Sequence, residues 1–205
     1  MHGNIETFHA TSAQNSPDEG KNMRFRLILL VDLCAVRAVS AAEINGCTIT
    51  SATLCTEMDL SGTNLRGADL ARAALRQSNF TGADMQGANL LRADMVRVNL
   101  DSANLDGAML DEADLRNATL INARLTRARL NGASLKSADL TGADFTGAEL
   151  KGANLSGANL TRAKFGNAQL QRADLSGSVM SGADFRGANM TGANRLLIGT
   201  AWPLI

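Results

Sequence analysis

The sequence contains very few aromatic residues: Tyr is absent, Trp occurs once, and aromatic residues make up 3% of the chain. A conventional globular core depends on several large aromatic side chains, so this composition argues against one. Charge is not in excess in either direction, because 20 basic residues balance 20 acidic ones. Neutrality argues against non-specific binding to nucleic acid or to an anionic membrane, which needs a basic surplus. It also argues against an acidic, DNA-like surface.

Histidine is scarce as well, and both copies, His2 and His9, lie among the first 22 residues. The rest of the chain therefore lacks the commonest general base and metal ligand. No Cys or His cluster has zinc spacing, and the recurring glycines are not followed by the Lys of a phosphate loop. We therefore expect no catalytic residue, no cofactor and no metal, and a protein that is not an enzyme.

An apolar residue returns at every fifth position from Leu60 to Met190, and each of these 27 positions, called slots below, holds Leu, Phe or Met. Ala stands two residues before the slot in 22 of the 27 units. A period of five fits neither a helix nor a simple strand, and so regular a repeat indicates a solenoid. Residues two apart on an extended backbone point to the same side, so the slot residue and the Ala are predicted to face inward.

Several units carry a recognisable motif, among them Ala68-Asp69-Leu70, Ala153-Asn154-Leu155 and Ala183-Asp184-Phe185. They resemble the A(D/N)LXX motif of the pentapeptide repeat proteins over about two thirds of the chain. The resemblance implies an all-β fold: a right-handed quadrilateral parallel β-helix of about seven coils, with four pentapeptides per coil and short caps at both ends. A coil of 20 residues would also stack Phe145, Phe165 and Phe185 in one column.

Two segments precede the repeat. Residues 1–22 are polar and without periodicity, which predicts a disordered leader. Residues 23–42 are similar to a secretory signal, with a positive start at Met23, an apolar stretch from Leu27 to Val36 and small residues up to Ala42. This favours translation from Met23 and a periplasmic or secreted protein. Asp32 fits a signal poorly, and the alternative is a capping helix in a cytoplasmic protein.

The apolar stretch is also too short for a membrane span, which needs about 20 residues. We therefore expect no membrane insertion after signal cleavage.

The ends of a solenoid must be covered, since open strand edges pair with other chains. We assign residues 43–56 to an N-terminal cap, 57–194 to the β-helix and 195–205 to an apolar C-terminal cap. The C-terminal tail is expected to fold back as a plug, and its competing role is a dimer contact, so the protein is predicted to be a monomer or a weak end-to-end dimer.

Cys47 and Cys55 would remain as a pair after export and could form a disulfide that staples the N-terminal cap. The alternative is that they are two small buried hydrophobic residues.

One region departs from the motif. Between Leu91 and Lys136 several outward positions are apolar or basic, which suits a surface that contacts a protein partner. The alternative is charge pairing between neighbouring coils. A coil of 20 residues would also stack Arg76 with Val96, Arg116 and Lys136 in one outward column. The candidate residues are Arg76, Leu91, Val96, Met109, Arg116, Arg129 and Lys136. A run of acidic residues also falls at outward positions and is expected to be solvated: Asp101, Asp106, Asp111, Glu112 and Asp114.

These features together predict a non-catalytic, exported structural scaffold or protein-interaction module, with an unidentified protein partner and no nucleic-acid partner. The alternative comes from resemblance to the quinolone-resistance members of the family, which are similar to DNA in shape and charge and interact with type II topoisomerases in the cytoplasm. That alternative requires a strongly acidic surface, but from Glu43 onward 16 acidic residues face 16 basic ones.

Leu130→Asp is expected to unfold the middle coils, because a buried slot residue contributes roughly 1.5 to 3 kcal/mol and the charge that replaces it has no partner. Asn131→Asp, at the next outward position, is expected to be nearly silent. Thermal unfolding of the two variants provides the measurement, and equal melting temperatures would contradict the assignment of inward and outward positions.

Overall fold

The computed structural model describes residues 42–194 of the chain. The predicted leader 1–22, the predicted signal peptide as far as residue 41 and the predicted C-terminal cap 195–205 lie outside the described residues.

A ladder of 25 parallel β-bridges joins residues that are 20 positions apart. One column of the ladder runs from Leu54 to Asn194 through seven consecutive bridges. This confirms the 20-residue coil. The described residues form a right-handed quadrilateral parallel β-helix of about seven coils, as the motif implies.

Each coil has four faces, which we number by their slots. The slots of the first face are Leu60 and every twentieth residue to Met180, and those of the second run from Leu65 to Phe185. The slots of the third face run from Leu70 to Met190, and those of the fourth from Cys55 to Leu175. Slot residues from Leu60 to Leu175 are at most 3% exposed. The core is therefore one continuous column of slot residues, with buried Ala beside most of them.

The hydrogen bonds of one unit explain why the repeat has five residues. The N–H groups of Leu140 and Gly142 donate to carbonyls of the following coil at 2.8 and 2.9 Å, and that of Asp139 donates to the preceding coil at 2.9 Å. The Ala143 N–H closes the turn onto the Leu140 carbonyl at 3.0 Å. The remaining N–H, of Thr141, donates to the Asp139 carboxylate at 3.0 Å. An Asp or Asn before the slot thus supplies the one acceptor that the backbone lacks.

Every corner from Ala52 to Gly192 places its third turn position at a positive φ, between 56° and 72°. This is the conformation of a type II turn, which favours glycine. Fifteen of these corners nevertheless carry a residue other than glycine, most often Arg or Asn. The ladder therefore imposes the left-handed conformation even where the side chain disfavours it.

The aromatic column is present. The rings of Phe145 and Phe165 have centroids 5.0 Å apart, those of Phe165 and Phe185 4.9 Å, and the planes of each pair are within 3°. The predicted stack on the second face is confirmed, and its spacing is that of successive coils.

The N-terminal end is a β-hairpin of strands β1 (Ala42–Ile44) and β2 (Cys47–Ile49), which pair antiparallel with Ile44 opposite Cys47. The turn residues Asn45 and Gly46 have φ values of 51° and 80°. Asn-Gly between two strands is a strong signal for a two-residue hairpin, so the sequence contained the information for this element.

The hairpin leads directly into the first coil. The parallel ladder starts at Leu54, three residues before the predicted start of the repeat at residue 57. Cys55 occupies a slot of the fourth face and is 2% exposed, so the small side chain of a cysteine takes the place of the usual Leu.

Gly152→Ala is expected to lower the free energy of unfolding by about 1 to 2 kcal/mol, because a Cβ there disfavours φ of +66°. Nothing lies within 4 Å of that Cβ, so the effect would be purely conformational. The matched control is Gly166→Ala, where φ is not positive and the new Cβ meets only Thr146 and a backbone oxygen at 3.8 to 3.9 Å. Ala is expected there to be neutral or stabilising by about 0.4 to 1 kcal/mol. Chemical denaturation of both variants tests the difference, and equal effects would contradict it.

Candidate partner-binding surface

The residues predicted to contact a partner lie on two neighbouring faces. Those on the fourth face, in one outward column, are Arg76, Val96, Arg116 and Lys136, and those on the third face are Leu91, Met109 and Arg129. The predicted surface therefore wraps around one edge of the β-helix.

Ion pairs neutralise most of the charge of the fourth-face column. Arg76 Nε lies 2.5 Å from an Asp94 carboxylate oxygen, and Arg116 Nη2 lies 2.6 Å from Asp114. Within residues 42–194 no ion pair involves Lys136. The alternative of charge pairing thus describes the two arginines of this column.

On the third face, the positive charge is less well balanced by exposed negative charge. Met109 lies in the ladder between Asn89 and Arg129, and Leu91 and Met109 are both half-buried. Arg129 Nη2 lies 2.8 Å from an oxygen of Asp111, whose side chain is 13% exposed. This face therefore shows solvent two partly exposed apolar side chains and a guanidinium whose carboxylate is largely covered.

The expectation that the acidic run is solvated is wrong for Asp106, which is 5% exposed. Its carboxylate accepts a very short hydrogen bond from the Thr126 hydroxyl and one of 3.0 Å from Arg127 Nη2. Arg124 Nη2 lies 3.7 Å away. These covering residues belong to the following coil, which is why the spacing within one unit does not predict the burial.

The hydrogen bond from Thr126, assisted by the guanidinium of Arg127, holds the pKa of Asp106 below its usual value despite the opposing effect of burial. Asp106 is therefore an ionised structural residue.

Asp101 and Asp111 accept backbone hydrogen bonds in two turns where the usual Asp or Asn before the slot is absent. Thr119 and Arg129 stand where Asp or Asn usually accepts the fifth N–H of the unit. In these units the Ile121 N–H donates to Asp101 Oδ1 at 2.8 Å, and the Asn131 N–H donates to Asp111 Oδ1 at 3.0 Å. These acids thus complete the backbone hydrogen bonding of the following coil.

The Asn131 side chain makes more hydrogen bonds than its outward position predicts. Its amide nitrogen donates to Asp111 at 2.9 Å and to Glu149 at 3.1 Å, and its oxygen accepts the Lys151 N–H at 3.1 Å. The expectation that Asn131→Asp is nearly silent is therefore not supported by this geometry, because the new carboxylate would face two others.

Cys47 of β2 and Cys55 of the first coil are joined by a disulfide, with their Cα atoms 5.4 Å apart. Ser78 connects the same region to the second coil, since its hydroxyl donates to the Cys55 carbonyl at 2.8 Å and accepts the Met58 N–H at 3.0 Å. The bridge and these hydrogen bonds fix the hairpin to the ladder.

Among residues 42–194, no group of three or more His, Cys, Asp or Glu side chains is arranged to hold a metal ion. Over the same range the structure contains no helix of the length and apolarity that a membrane crossing requires.

A family model for pentapeptide repeats matches the chain in eight copies, over residues 59–95, 93–132, 128–167 and 168–194. None of the curated proteins compared with the chain matches it.

Solved structures are similar to the chain. HetL, a pentapeptide repeat protein involved in regulating heterocyst differentiation in the cyanobacterium Nostoc sp. strain PCC 7120, is 27% identical over 69% of this chain and 86% of its own, with a TM-score of 0.45. A pentapeptide repeat protein of the Arabidopsis thaliana thylakoid lumen is 39% identical over 46% of this chain and 63% of its own, with a TM-score of 0.37. QnrB1, a plasmid-mediated fluoroquinolone resistance protein, is 23% identical over 68% and 70%, with a TM-score of 0.45.

Asp106→Asn is expected to lower the stability at neutral pH by about 1 to 3 kcal/mol, because it removes a charged hydrogen-bond partner of Arg127. The pKa of Asp106 is lowered by folding, so its contribution is present above the usual carboxyl pKa of about 3.9 and is lost as the pH falls below it. The free energy of unfolding, measured from neutral to acidic pH, should therefore change less with pH in the variant than in the unmodified protein. The control is Asp69→Asn, at an exposed position whose column already carries Asn89. An unchanged pH dependence in Asp106→Asn would contradict the role of the carboxylate.

Asn131→Asp is now expected to destabilise the protein by about 1 to 3 kcal/mol, through lost hydrogen bonds and like-charge contact with Asp111 and Glu149. The matched control is Asn189→Asp, because the Asn189 oxygen only accepts from Thr191 and a carboxylate can do the same. That change should stay within about 0.5 kcal/mol. Urea unfolding of both variants decides, and a silent Asn131→Asp would show that the amide bridge contributes nothing.

Proposed function

The chain belongs to the pentapeptide repeat family, and we propose that it is a non-catalytic, exported scaffold that binds a partner protein through the outer faces of its β-helix. The observation that carries the proposal is the unbroken ladder of 25 bridges. Each outward side chain has a fixed neighbour 20 residues away, so the surface is a preorganised array. Preorganisation favours binding because little conformational entropy is lost on contact.

Several features support a partner that is a protein rather than a substrate or a nucleic acid. Both histidines precede residue 42, so the β-helix is built without the commonest general base. Its best-defined buried carboxylate, Asp106, has a lowered pKa and is occupied by Thr126 and Arg127. The neutral charge of the chain disfavours non-specific contact with nucleic acid. In this proposal the protein acts as a monomer or a weak end-to-end dimer.

Export is supported by two features that meet at the N-terminal end. The hairpin begins at Ala42, where the predicted signal peptide ends. Five residues later comes Cys47, which is bridged to Cys55, and such bridges persist in oxidising compartments such as the periplasm. Cys34 would leave with the signal, so the exported protein would have no odd thiol.

The intact mass of the protein from fractionated native cells, with and without reductant, tests the proposal. We expect a periplasmic or secreted species that lacks residues up to about Ala41 or Ala42 and gains two hydrogens on reduction. A full-length cytoplasmic species with free thiols would overturn export and make residues 23–42 a capping helix. It would also bring back the cytoplasmic topoisomerase alternative, for which inhibition of gyrase supercoiling is the direct assay.

A further inference from the structure

We propose that the corner between the second and third faces, formed by Arg124, Arg127 and Arg129 and called the arginine corner below, binds an acidic segment of the partner protein. The inference rests on the proposed function and names the chemistry of its partner: neighbouring Asp or Glu carboxylates beside an apolar side chain.

The three arginines surround one turn. Arg124 precedes a slot of the second face, Arg127 is the third turn position with φ of 57°, and Arg129 precedes a slot of the third face. The position before the slot is basic at only one other place in the repeat, Lys164. Two of the three basic departures from the motif therefore flank the same corner.

Exposure separates this corner from the other ion pairs. The side chains of Arg124, Arg127 and Arg129 are 61%, 74% and 54% exposed, whereas their partners Asp106 and Asp111 are only 6% and 13% exposed. In the other six ion pairs between described residues the carboxylate is at least 30% exposed. In those six pairs both charged groups are accessible to solvent, whereas in the three pairs of the arginine corner the guanidinium is much more accessible than its carboxylate.

The carboxylates of Asp106 and Asp111 already take part in hydrogen bonds and ion pairs with their own chain. Asp106 accepts from the Thr126 hydroxyl and from Arg127, and Asp111 accepts from the Asn131 backbone and amide N–H groups as well as pairing with Arg129. Arg124 Nη2 lies 3.7 Å from Asp106, beyond hydrogen-bond distance. A guanidinium has five N–H donors, so each arginine keeps donors for a ligand while the acids have little capacity left.

An acidic peptide segment fits this arrangement better than a nucleic acid does. Guanidinium groups bind carboxylates with paired, charge-assisted hydrogen bonds. The half-buried Met109 adjoins Arg129 in the ladder and provides an apolar contact beside the charges. Three guanidinium groups at one corner suit a short acidic segment, with Asp144 and Glu149 of the following coil at its border, whereas nucleic-acid binding depends on many phosphate contacts.

The test is a fluorescence anisotropy titration of the full chain with a fluorescein-labelled peptide that repeats Leu-Glu-Glu. The corner variant carries Arg124→Asn, Arg127→Gly and Arg129→Gln, residues that the same columns already hold at Asn104, Gly147 and Gln169. The control variant carries Arg66→Gln, Arg72→Gly and Arg186→Gly, taken in the same way from Gln86, Gly132 and Gly166. Both variants remove three positive charges. A difference between them therefore distinguishes binding at the arginine corner from attraction to the overall charge of the protein.

The corner variant should bind the peptide at least about tenfold more weakly than the unmodified protein, and the control variant within about twofold of it. A peptide with Lys in place of Glu should not bind. Equal losses in the two variants, or no binding by the unmodified protein, would overturn the proposal. So would a labelled duplex DNA that binds more tightly than the peptide and is weakened by the same variant.

Thermal unfolding of each variant checks that the fold is kept. Arg129→Gln alone leaves the pairing of Asp106 intact and should weaken binding about threefold or more. It therefore decides the question even if the triple variant does not fold, and no loss in this single variant would then contradict the proposal. Failure here would leave the exported scaffold standing, since that is measured by the mass and oxidation state of the native protein.

Discussion

The structure depends on the hydrogen bonding of the backbone amides within each five-residue unit. Two N–H groups bond to the following coil, one to the preceding coil and one within the turn, as the unit around Leu140 illustrates. Only the fifth, after the slot, needs a side chain, and Asp or Asn before the slot provides it. An insertion of one residue would put the residue pairs that span it out of register, which agrees with a period that is unbroken over 27 slots.

The same hydrogen-bonding pattern overrides the conformational preference of individual turn residues. A left-handed turn residue costs about 1 to 2 kcal/mol when it has a Cβ, yet Arg, Asn and other residues occupy fifteen corners at positive φ. The ladder tolerates this because burial and hydrogen bonding are collective along the stack. The rest of the stack thus offsets the strain of these turns, and one of the tolerated side chains, Arg127, pairs with Asp106.

Regular stacking also determines which charged side chains lie next to each other on the surface. Each outward residue has neighbours one coil before and after it, so charges meet across coils, as in Arg92 with Glu112 at 2.7 Å. In two units that lack Asp or Asn before the slot, a carboxylate from the preceding coil takes over the hydrogen bond: Asp101 does so for Ile121, and Asp111 for Asn131. Asp111 also pairs with Arg129, whose side chain is 54% exposed while that of Asp111 is 13% exposed. The arginine corner thus lies where the motif is lost, since Arg124 and Arg129 both occupy the position before a slot.

The sequence by itself determined the inward column, because that column follows from a strict period of five. The coil of 20 residues, and with it the phenylalanine stack, was implied by the resemblance of the motif to the pentapeptide repeat proteins. The sequence also contained the hairpin signal Asn45-Gly46 and the apolar slot at Cys55, although both fall where the motif is weak. Only the tertiary structure decided which outward residues are truly exposed. Asp106 and Arg66 occupy equivalent positions in the repeat, yet one is buried and the other is not. Burial there depends on the side chains of the next coil, Thr126 and Arg127, and no pattern within a single unit contains that information.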